Sequence, residues 1–310
     1  DTYPEANDDL SPNASLSGRD LGQDFSNKDG WSMYHGEKVP GFPKHPHRGF
    51  ETLTVVNEGI IDHSDSLGSK ARYGDGDAQW LTAGDGINHS EMFPLFNKDS
   101  LNKIDFFQIW INLPSTKKRV DPYFKMFWDN NIPRVLENDD NGLSTKISII
   151  SGNYKGIESL KPPPNSWANN NKNNVGVWVI NMDEGARWII PKSTEKTLRS
   201  LYIPKNNKMK FNGEKLITNS RVDLIVKEDV SIFNSGPKTN LLLLQGKPIK
   251  EPVVQYGPFV MNTRSEIQEA FRDYDRTQFG GWEWNTSAPT HGKEKMKFAK
   301  LLDGKFEKPM

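Results

Sequence analysis

The histidines are concentrated at one end of the chain, and two of them have the spacing of a metal site. Five of the six lie within the first 89 residues. His45 and His47 are separated by Pro46, and on an extended strand side chains two residues apart point to the same side, about 6.6 to 7 Å apart. Both imidazoles can therefore reach one ion. Pro46 also favours the extended conformation at His45 before any metal binds.

A second pair of this kind follows at His89 and Glu91. Two such pairs converging inside one β-barrel supply three nitrogens and one carboxylate oxygen, which suit Fe(II), Mn(II), Ni(II), Cu(II) or Zn(II) but not Cu(I). In octahedral coordination two positions would stay open, as in a catalytic site. The alternative is chance, because a chain with this many histidines contains roughly 0.1 such His-x-His spacings at random.

The overall composition excludes several other classes of protein. The absence of cysteine excludes a disulfide-stapled scaffold, a thiolate zinc site and cysteine catalysis. Forty basic and 40 acidic side chains give no net charge, which argues against a broad cationic face for nucleic acid. No stretch approaches the roughly 18 to 20 apolar residues of a membrane span. We therefore expect a soluble, monomeric protein of the cytoplasm or nucleus that binds neither nucleic acid directly nor a membrane.

The elements that position these residues are predicted to be β-strands in two domains. Short alternating or apolar runs, broken by Gly and Asp, predict antiparallel strands between residues 41 and 113 and again between 145 and 245. We expect an N-terminal metal-binding domain at 1–135, which begins with an irregular arm, and a second domain at 136–310. The second domain has no histidine before His291 and is expected to be metal-free. A capping box at Thr263 and Glu266 predicts one amphipathic helix near the C-terminus, before a lysine-rich tail.

Two stretches, residues 45–52 and 76–92, resemble the two motifs of the pirin family in the cupin superfamily, and residues 250–263 resemble its C-terminal signature. The resemblance covers residues 41–274. It implies an all-β bicupin of two tandem cupin β-sandwich barrels with a few short helices. The metal ligands that it implies are His45, His47, His89 and Glu91. Glu51 is the alternative carboxylate ligand, because the glutamate of the first motif binds the metal in many cupins. In the pirin pattern this glutamate is not a metal ligand, so the resemblance implies a role for Glu51 in hydrogen bonding near the site.

Further side chains are candidates for a substrate pocket or for support of the ligands. They flank the two motifs or alternate with apolar neighbours on predicted strands, and they are Phe42, Phe50, Glu51, His63, Trp80, Met92 and Gln108. Packing in the barrel core is the alternative for the aromatic residues and Met92, and a purely structural role is the alternative for His63.

The resemblance implies a metal-dependent dioxygenase that acts on a flavonol such as quercetin, or on another metal-chelating small molecule, together with dioxygen. The cofactor would be one divalent ion, Fe(II) first, with Mn, Ni, Cu and Zn as alternatives. Glu91 would be the catalytic base that takes the proton of the flavonol 3-hydroxyl before the heterocycle opens with loss of carbon monoxide. One alternative is a non-enzymatic, iron-dependent redox sensor that binds a protein partner as a transcription cofactor. Another is a divergent cupin catalyst with a different substrate.

Overall fold

The computed structural model describes residues 1–204, 207–215 and 220–309. The chain forms two compact units, of which the first contains residues 1–130 and 251–310 and the second contains residues 131–250. The sequence pattern predicts the C-terminal helix and tail in the second domain, whereas the structure places them in the first unit. The reason is that the chain returns after residue 250 and pairs with strands formed before residue 130. Residues 205, 206, 216–219 and 310 of the predicted second domain lie outside the described residues.

The N-terminal part of the first unit contains ten strands. They are β1 (Thr2–Tyr3), β2 (Gly41–His47), β3 (Phe50–Glu58), β4 (Ile60–Asp65), β5 (Lys70–Gly74), β6 (Ala78–Thr82), β7 (Ile87–Met92), β8 (Asn102–Lys103), β9 (Asp105–Asn112) and β10 (Tyr123–Phe127). β10, β6, β3 and β9 form one antiparallel sheet in that order, so β9 is an edge strand.

The second unit contains twelve strands within the described part of the chain. They are β11 (Arg134–Asn138), β12 (Ser144–Ser151), β13 (Asn153–Tyr154), β14 (Ile157–Glu158), β15 (Gly176–Met182), β16 (Arg187–Ile190), β17 (Leu198–Ile203), β18 (Met209–Phe211), β19 (Glu214–Lys215), β20 (Ser220–Asp223), β21 (Val230–Asn234) and β22 (Thr239–Gly246). They form a six-stranded sheet, β11-β12-β15-β22-β17-β20, a four-stranded sheet, β16-β21-β18-β19, and a two-stranded sheet of β13 and β14. Ile147, Trp178, Ile232 and Leu243 are among the side chains of its core.

The C-terminal segment completes the first unit. It contributes β23 (Val254–Tyr256), β24 (Phe259–Met261), α1 (Arg264–Thr277), β25 (Phe298–Lys300) and β26 (Phe306–Glu307). β25 pairs with β5, which gives a second sheet of order β2-β7-β4-β5-β25-β26. β2 is therefore also an edge strand. Each unit thus contains a four-stranded and a six-stranded antiparallel sheet, and the prediction of an all-β bicupin fold is confirmed.

Helix is scarce in the described residues. α1 is the one α-helix there, and the predicted capping box at its start is present: Thr263 accepts from the backbone of Glu266, whose side chain accepts from the backbone of Thr263. Short 3-10 helices occur at Lys28–Gly30, Ser115–Lys117, Asp129–Asn131, Trp167–Asn169, Asn171–Asn173 and Gln278–Gly280. No helix in this part of the chain combines the length and apolar character needed to cross a membrane.

The C-terminal segment packs closely against the turn between β2 and β3. Gly49 lies in this turn with a φ of 86°, and a Cβ atom there would come within 2.1 Å of the Val260 carbonyl oxygen. Only glycine permits that approach. The Lys118 ammonium donates to the carbonyl oxygens of both Gly49 and Val260, at 2.9 and 2.8 Å. The turn after the His-x-His pair is therefore held by Lys118 and by Val260, the latter more than 200 positions away in the sequence.

Candidate metal centre

Three histidines meet between the two sheets of the first unit. β2 and β7 are antiparallel neighbours in which His45 lies opposite His89. Because side chains alternate along a strand, His45 and His47 on β2 point to the same side as His89 on β7. One ring nitrogen from each of the three lies within 4.8 Å of the other two. The structure thus brings together the three imidazoles that the sequence selected, and they could hold a metal ion.

Hydrogen bonds to backbone carbonyls orient two of the three rings. His45 Nδ1 lies 2.8 Å from the Pro43 carbonyl oxygen, and His47 Nδ1 lies 3.4 Å from that of Pro258. A carbonyl only accepts, so each Nδ1 carries the proton and leaves the Nε2 lone pair for an ion.

His89 is fully buried, and neither of its ring nitrogens has a hydrogen-bond partner in the structure. Burying a donor and an acceptor without partners is unfavourable. A metal ion bound beside His45 and His47 would satisfy one of these nitrogens, so the donor set fits a divalent ion.

The electrostatic environment keeps these imidazoles neutral. Burial lowers the pKa of His47 and His89 well below the ordinary value of histidine, and neighbouring imidazoles lower it further. Burial also lowers the pKa of His45, partly offset by the nearby Glu91 carboxylate. Since only a neutral imidazole has a lone pair to offer, the three rings are in the ligating form at neutral pH.

Glu91 follows His89 on β7 and faces the same interior. Its side chain is 3% exposed. Oε2 accepts a hydrogen bond from Gln108 Nε2 at 2.7 Å, and Oε1 accepts one from Thr54 Oγ1 at 3.3 Å. The carboxylate is therefore held from the opposite sheet, where β3 and β9 supply the two donors.

Glu51, the rival carboxylate, lies on the other face of its sheet. Residues of β3 alternate, and Phe50 and Thr54 point toward the histidines and Glu91. Glu51 therefore points away from them, and it accepts a hydrogen bond from Thr82 Oγ1 at 2.7 Å. The structure brings Glu91 to the interior that contains the three imidazoles and does not bring Glu51 there.

His63 also points into this interior. It lies opposite Glu91 across the β4–β7 pair, and its ring centroid is 5.5 Å from that of His89. Its Nε2 donates to Asp65 Oδ2 at 3.3 Å, and its ring stacks on Phe124. His63 Nδ1 is buried without a partner. His63 is thus a neighbour of the cluster, and its role in a pocket or in supporting the ligands stays a prediction.

Aromatic side chains flank the histidines. Phe50 is buried, with its ring centroid 5.0 Å from that of His47, and Phe42 is partly buried at 6.4 Å from His45. Trp80 and Met92, which the sequence also proposed for the pocket, lie on the opposite faces of their sheets. Trp80 packs near Phe127, and Met92 belongs to a cluster behind β7. Both sit beside a ligand-bearing segment in sequence, but strand alternation turns them away.

Sequence reasoning missed several contributors to this site. Thr54 holds Glu91, Pro258 orients His47, and Trp110 lies 5.5 Å from His47 between ring centroids. Alternation could have identified Trp110, since it is two residues from Gln108 on the same strand. No local pattern identifies Pro258, because its contact with His47 joins residues 211 positions apart.

Large open cavities lie elsewhere. One of about 520 Å³ lies in the second unit and is lined mainly by residues 152–162 and 168–175. Another of about 520 Å³ lies in the first unit between residues 58–60 and 93–104. No histidine lines either cavity, so the cluster itself is the chemically distinctive site of the described structure.

Comparison with known proteins identifies the family. The Pirin family model matches residues 14–111, and the model of the pirin C-terminal cupin domain matches residues 177–280. Pirin-1 of Arabidopsis thaliana is 36% identical over 263 residues, which cover 77% of this chain and 78% of that protein. Human Pirin is 31% identical over 257 residues, which cover 80% of each chain. The chain belongs to the pirin family of two-cupin proteins.

A solved structure shares the fold over most of the chain. The crystal structure of quercetin 2,3-dioxygenase from Acinetobacter baumannii, at 1.88 Å resolution, superposes with a TM-score of 0.67 and 30% sequence identity. The match covers 79% of this chain and 81% of that one.

Proposed function

We propose that this protein is a metal-dependent dioxygenase that acts on a flavonol or a similar metal-chelating small molecule. One divalent ion is held by His45, His47, His89 and Glu91. Fe(II) is the leading candidate for this ion, and Mn, Ni, Cu and Zn are the alternatives. The observation that carries this proposal is the buried His89 ring, which has no hydrogen-bond partner among the described residues and lies within 4.8 Å of two further imidazole nitrogens. The similarity to quercetin 2,3-dioxygenase from Acinetobacter baumannii supports the reaction class.

The protein groups prepare the site for an acidic hydroxyl group. When bound, a divalent ion supplies Lewis acidity toward an enol or phenol oxygen and permits reaction with dioxygen. The imidazoles, whose pKa burial lowers, remain neutral and do not repel that ion. Phe50 and the buried His89 exclude water from the inner side of the site, which strengthens electrostatic interactions there.

Glu91 is the base in this proposal. Its two oxygens each accept one hydrogen bond, from Gln108 and Thr54, and each carboxylate oxygen has a second lone pair. Glu91 can therefore take the proton of the flavonol 3-hydroxyl while its two partners keep the carboxylate in place. Orientation of a base before reaction is a large part of its catalytic effect.

An anaerobic titration followed by oxygen tests the proposal. Quercetin is added to the iron-loaded protein without oxygen, and the flavonol absorbance band should shift on binding. Admission of oxygen should then bleach the band with oxygen uptake. The Glu91→Gln variant should bleach at least about 100-fold more slowly when the rate is expressed per bound iron, which is the usual contribution of a positioned base. A band shift without oxygen uptake would contradict a dioxygenase and favour a binding protein.

A further inference from the structure

Trp110 is exposed beside the histidines. Its side chain is 41% exposed, whereas Phe50, which it contacts, is 1% exposed. Trp110 lies on the edge strand β9 opposite Thr52 of β3, and Gln108 lies opposite Thr54. Trp110 and Gln108 therefore point to the same side as Thr54, toward the metal centre. An inward-facing tryptophan that remains exposed marks the open side of the site.

Trp110 is fixed by the residues behind it. Its ring centroid lies 4.2 Å from that of Phe50 with an angle of 33° between the planes, and 5.5 Å from His47 with an angle of 70°. These contacts occupy part of the indole and leave the rest uncovered. An exposed indole face held rigidly in this way is a ready surface for a flat ring, since stacking buries apolar area without ordering a flexible side chain.

The neighbours of Trp110 define what a molecule stacked there would meet. Gln108 is two residues away on the same face, about 7 Å along the strand, and its Nε2 donates to Glu91. His47, at the other side of the indole, belongs to the imidazole cluster. A molecule on Trp110 therefore has a predicted metal ligand, His47, on one side and Gln108, the donor to Glu91, further along the strand.

We infer that Trp110 is a specificity-determining residue that stacks on the aromatic ring of the substrate and so selects flat aromatic chelators over aliphatic ones. The inference rests on the proposed function, because it concerns the ligand of the same site. An aliphatic chelator can reach the same ion but gains nothing from the indole. Loss of the indole therefore weakens binding of the aromatic ligand alone.

The test compares two ligands on the protein loaded with Zn(II), which is not oxidised. Quercetin is the aromatic chelator, and acetohydroxamate is an aliphatic one. Isothermal titration without oxygen measures the Kd of each for the wild type, Trp110→Leu and Trp110→Phe. Tyr123→Leu is the matched control, because Tyr123 is 37% exposed and pairs with Thr82, on the opposite face of the same sheet. Zinc content is measured for every variant.

Trp110→Leu should weaken quercetin binding by about tenfold, in line with ring stacking on an aromatic side chain, and leave acetohydroxamate binding and zinc content unchanged. Trp110→Phe should fall between, and Tyr123→Leu should match the wild type. Unchanged quercetin affinity in Trp110→Leu overturns the inference, and so does an equal loss of both ligands.

A different result would contradict the proposed function without contradicting the role of Trp110. If quercetin binding depends on Trp110 but the iron-loaded protein consumes no oxygen with it, the dioxygenase is contradicted and the stacking role stands. A wild type that binds no quercetin overturns both.

Discussion

Gln108 on β9 donates a hydrogen bond of 2.7 Å to Glu91 on β7, and the two residues belong to different sheets. The bond therefore joins the four-stranded and six-stranded sheets at the candidate metal centre. It fixes one oxygen of the carboxylate, while Thr54 holds the other. Groups that hold a ligating carboxylate or imidazole in this way commonly contribute to metal affinity although they do not touch the ion.

Replacement of Gln108 by leucine should weaken metal binding without unfolding the protein. Loss of the donor frees one Glu91 oxygen to rotate, and such supporting contacts are usually worth about 10- to 100-fold in metal affinity. Competition with a chromophoric chelator measures the change. Gln255→Leu is the control, since Gln255 is an exposed glutamine on β23 of the same unit. Equal affinities for Gln108→Leu and the wild type would show that Gln108 does not hold the carboxylate.

The two carboxylates can be distinguished by a matched pair of amides. Glu91→Gln should lower metal content severely, because a neutral amide is a poorer ligand and Glu91 lies in the interior with the histidines. Glu51→Gln should retain the metal, since Glu51 points to the other face and bonds Thr82. Elemental analysis after dialysis against metal measures both. Loss of metal in Glu51→Gln, with full metal in Glu91→Gln, would make Glu51 the ligand.

Strand alternation explains which residues of the site could be predicted from the sequence. The pairs His45–His47 and His89–Glu91 each lie on one strand, so a period of two was enough to predict that they share an interior. The same period, applied from His89, would have excluded Met92. It could not have excluded Glu51, which lies an even number of residues from His47 but on the next strand, beyond the turn at Gly49. It could not place Trp80, whose orientation depends on the register of β6 against β3.

The C-terminal segment was assigned to the wrong domain for a different reason. Its helix and strands are recognisable from local patterns, but their location depends on contacts such as Arg48 with Asp273 and Lys118 with Val260. These contacts join residues more than 140 positions apart. Composition and spacing contain no information about them, and so the position of Pro258 beside His47 was also unpredicted.

The buried ion pair between Arg72 and Asp62 should be essential to the stability of the first unit. Two hydrogen bonds of 2.7 Å join the side chains, and the guanidinium also donates to the carbonyl oxygen of Gly292. Asp62→Ala leaves a buried cation without its partner, which costs about 3 to 5 kcal/mol of unfolding free energy. Urea denaturation measures it. Asp8→Ala, which breaks an exposed pair with Lys98, should leave stability unchanged; equal effects would contradict the assignment.

The metal-free protein should lose stability in mild acid. Burial lowers the pKa of His47 and His89 in the folded chain below about 6.5, the value of an unfolded imidazole. As the pH falls through 6.5 the unfolded chain takes up protons first, so the free energy of unfolding decreases. Urea denaturation in the presence of a chelator, between pH 8 and pH 5, measures this slope.

Two variants test whether the decrease in stability with acid comes from the buried histidine cluster or from histidines elsewhere in the chain. His89→Gln removes one buried imidazole and should make the decrease with acid shallower. His35→Gln removes an exposed imidazole at the surface and should leave the slope as in the wild type. Stability that does not change between pH 7 and pH 5 in the metal-free wild type would contradict the burial of neutral imidazoles.

The most direct test of the proposed reaction is the carbon monoxide released per oxygen consumed when the iron-loaded protein acts on quercetin. Headspace gas analysis alongside an oxygen electrode gives both quantities in one experiment. We predict a ratio of one, with both signals lost in a His47→Ala variant that no longer retains iron. Oxygen consumption without release of carbon monoxide would contradict the proposed reaction. So would the absence of oxygen consumption by fully iron-loaded protein that binds quercetin.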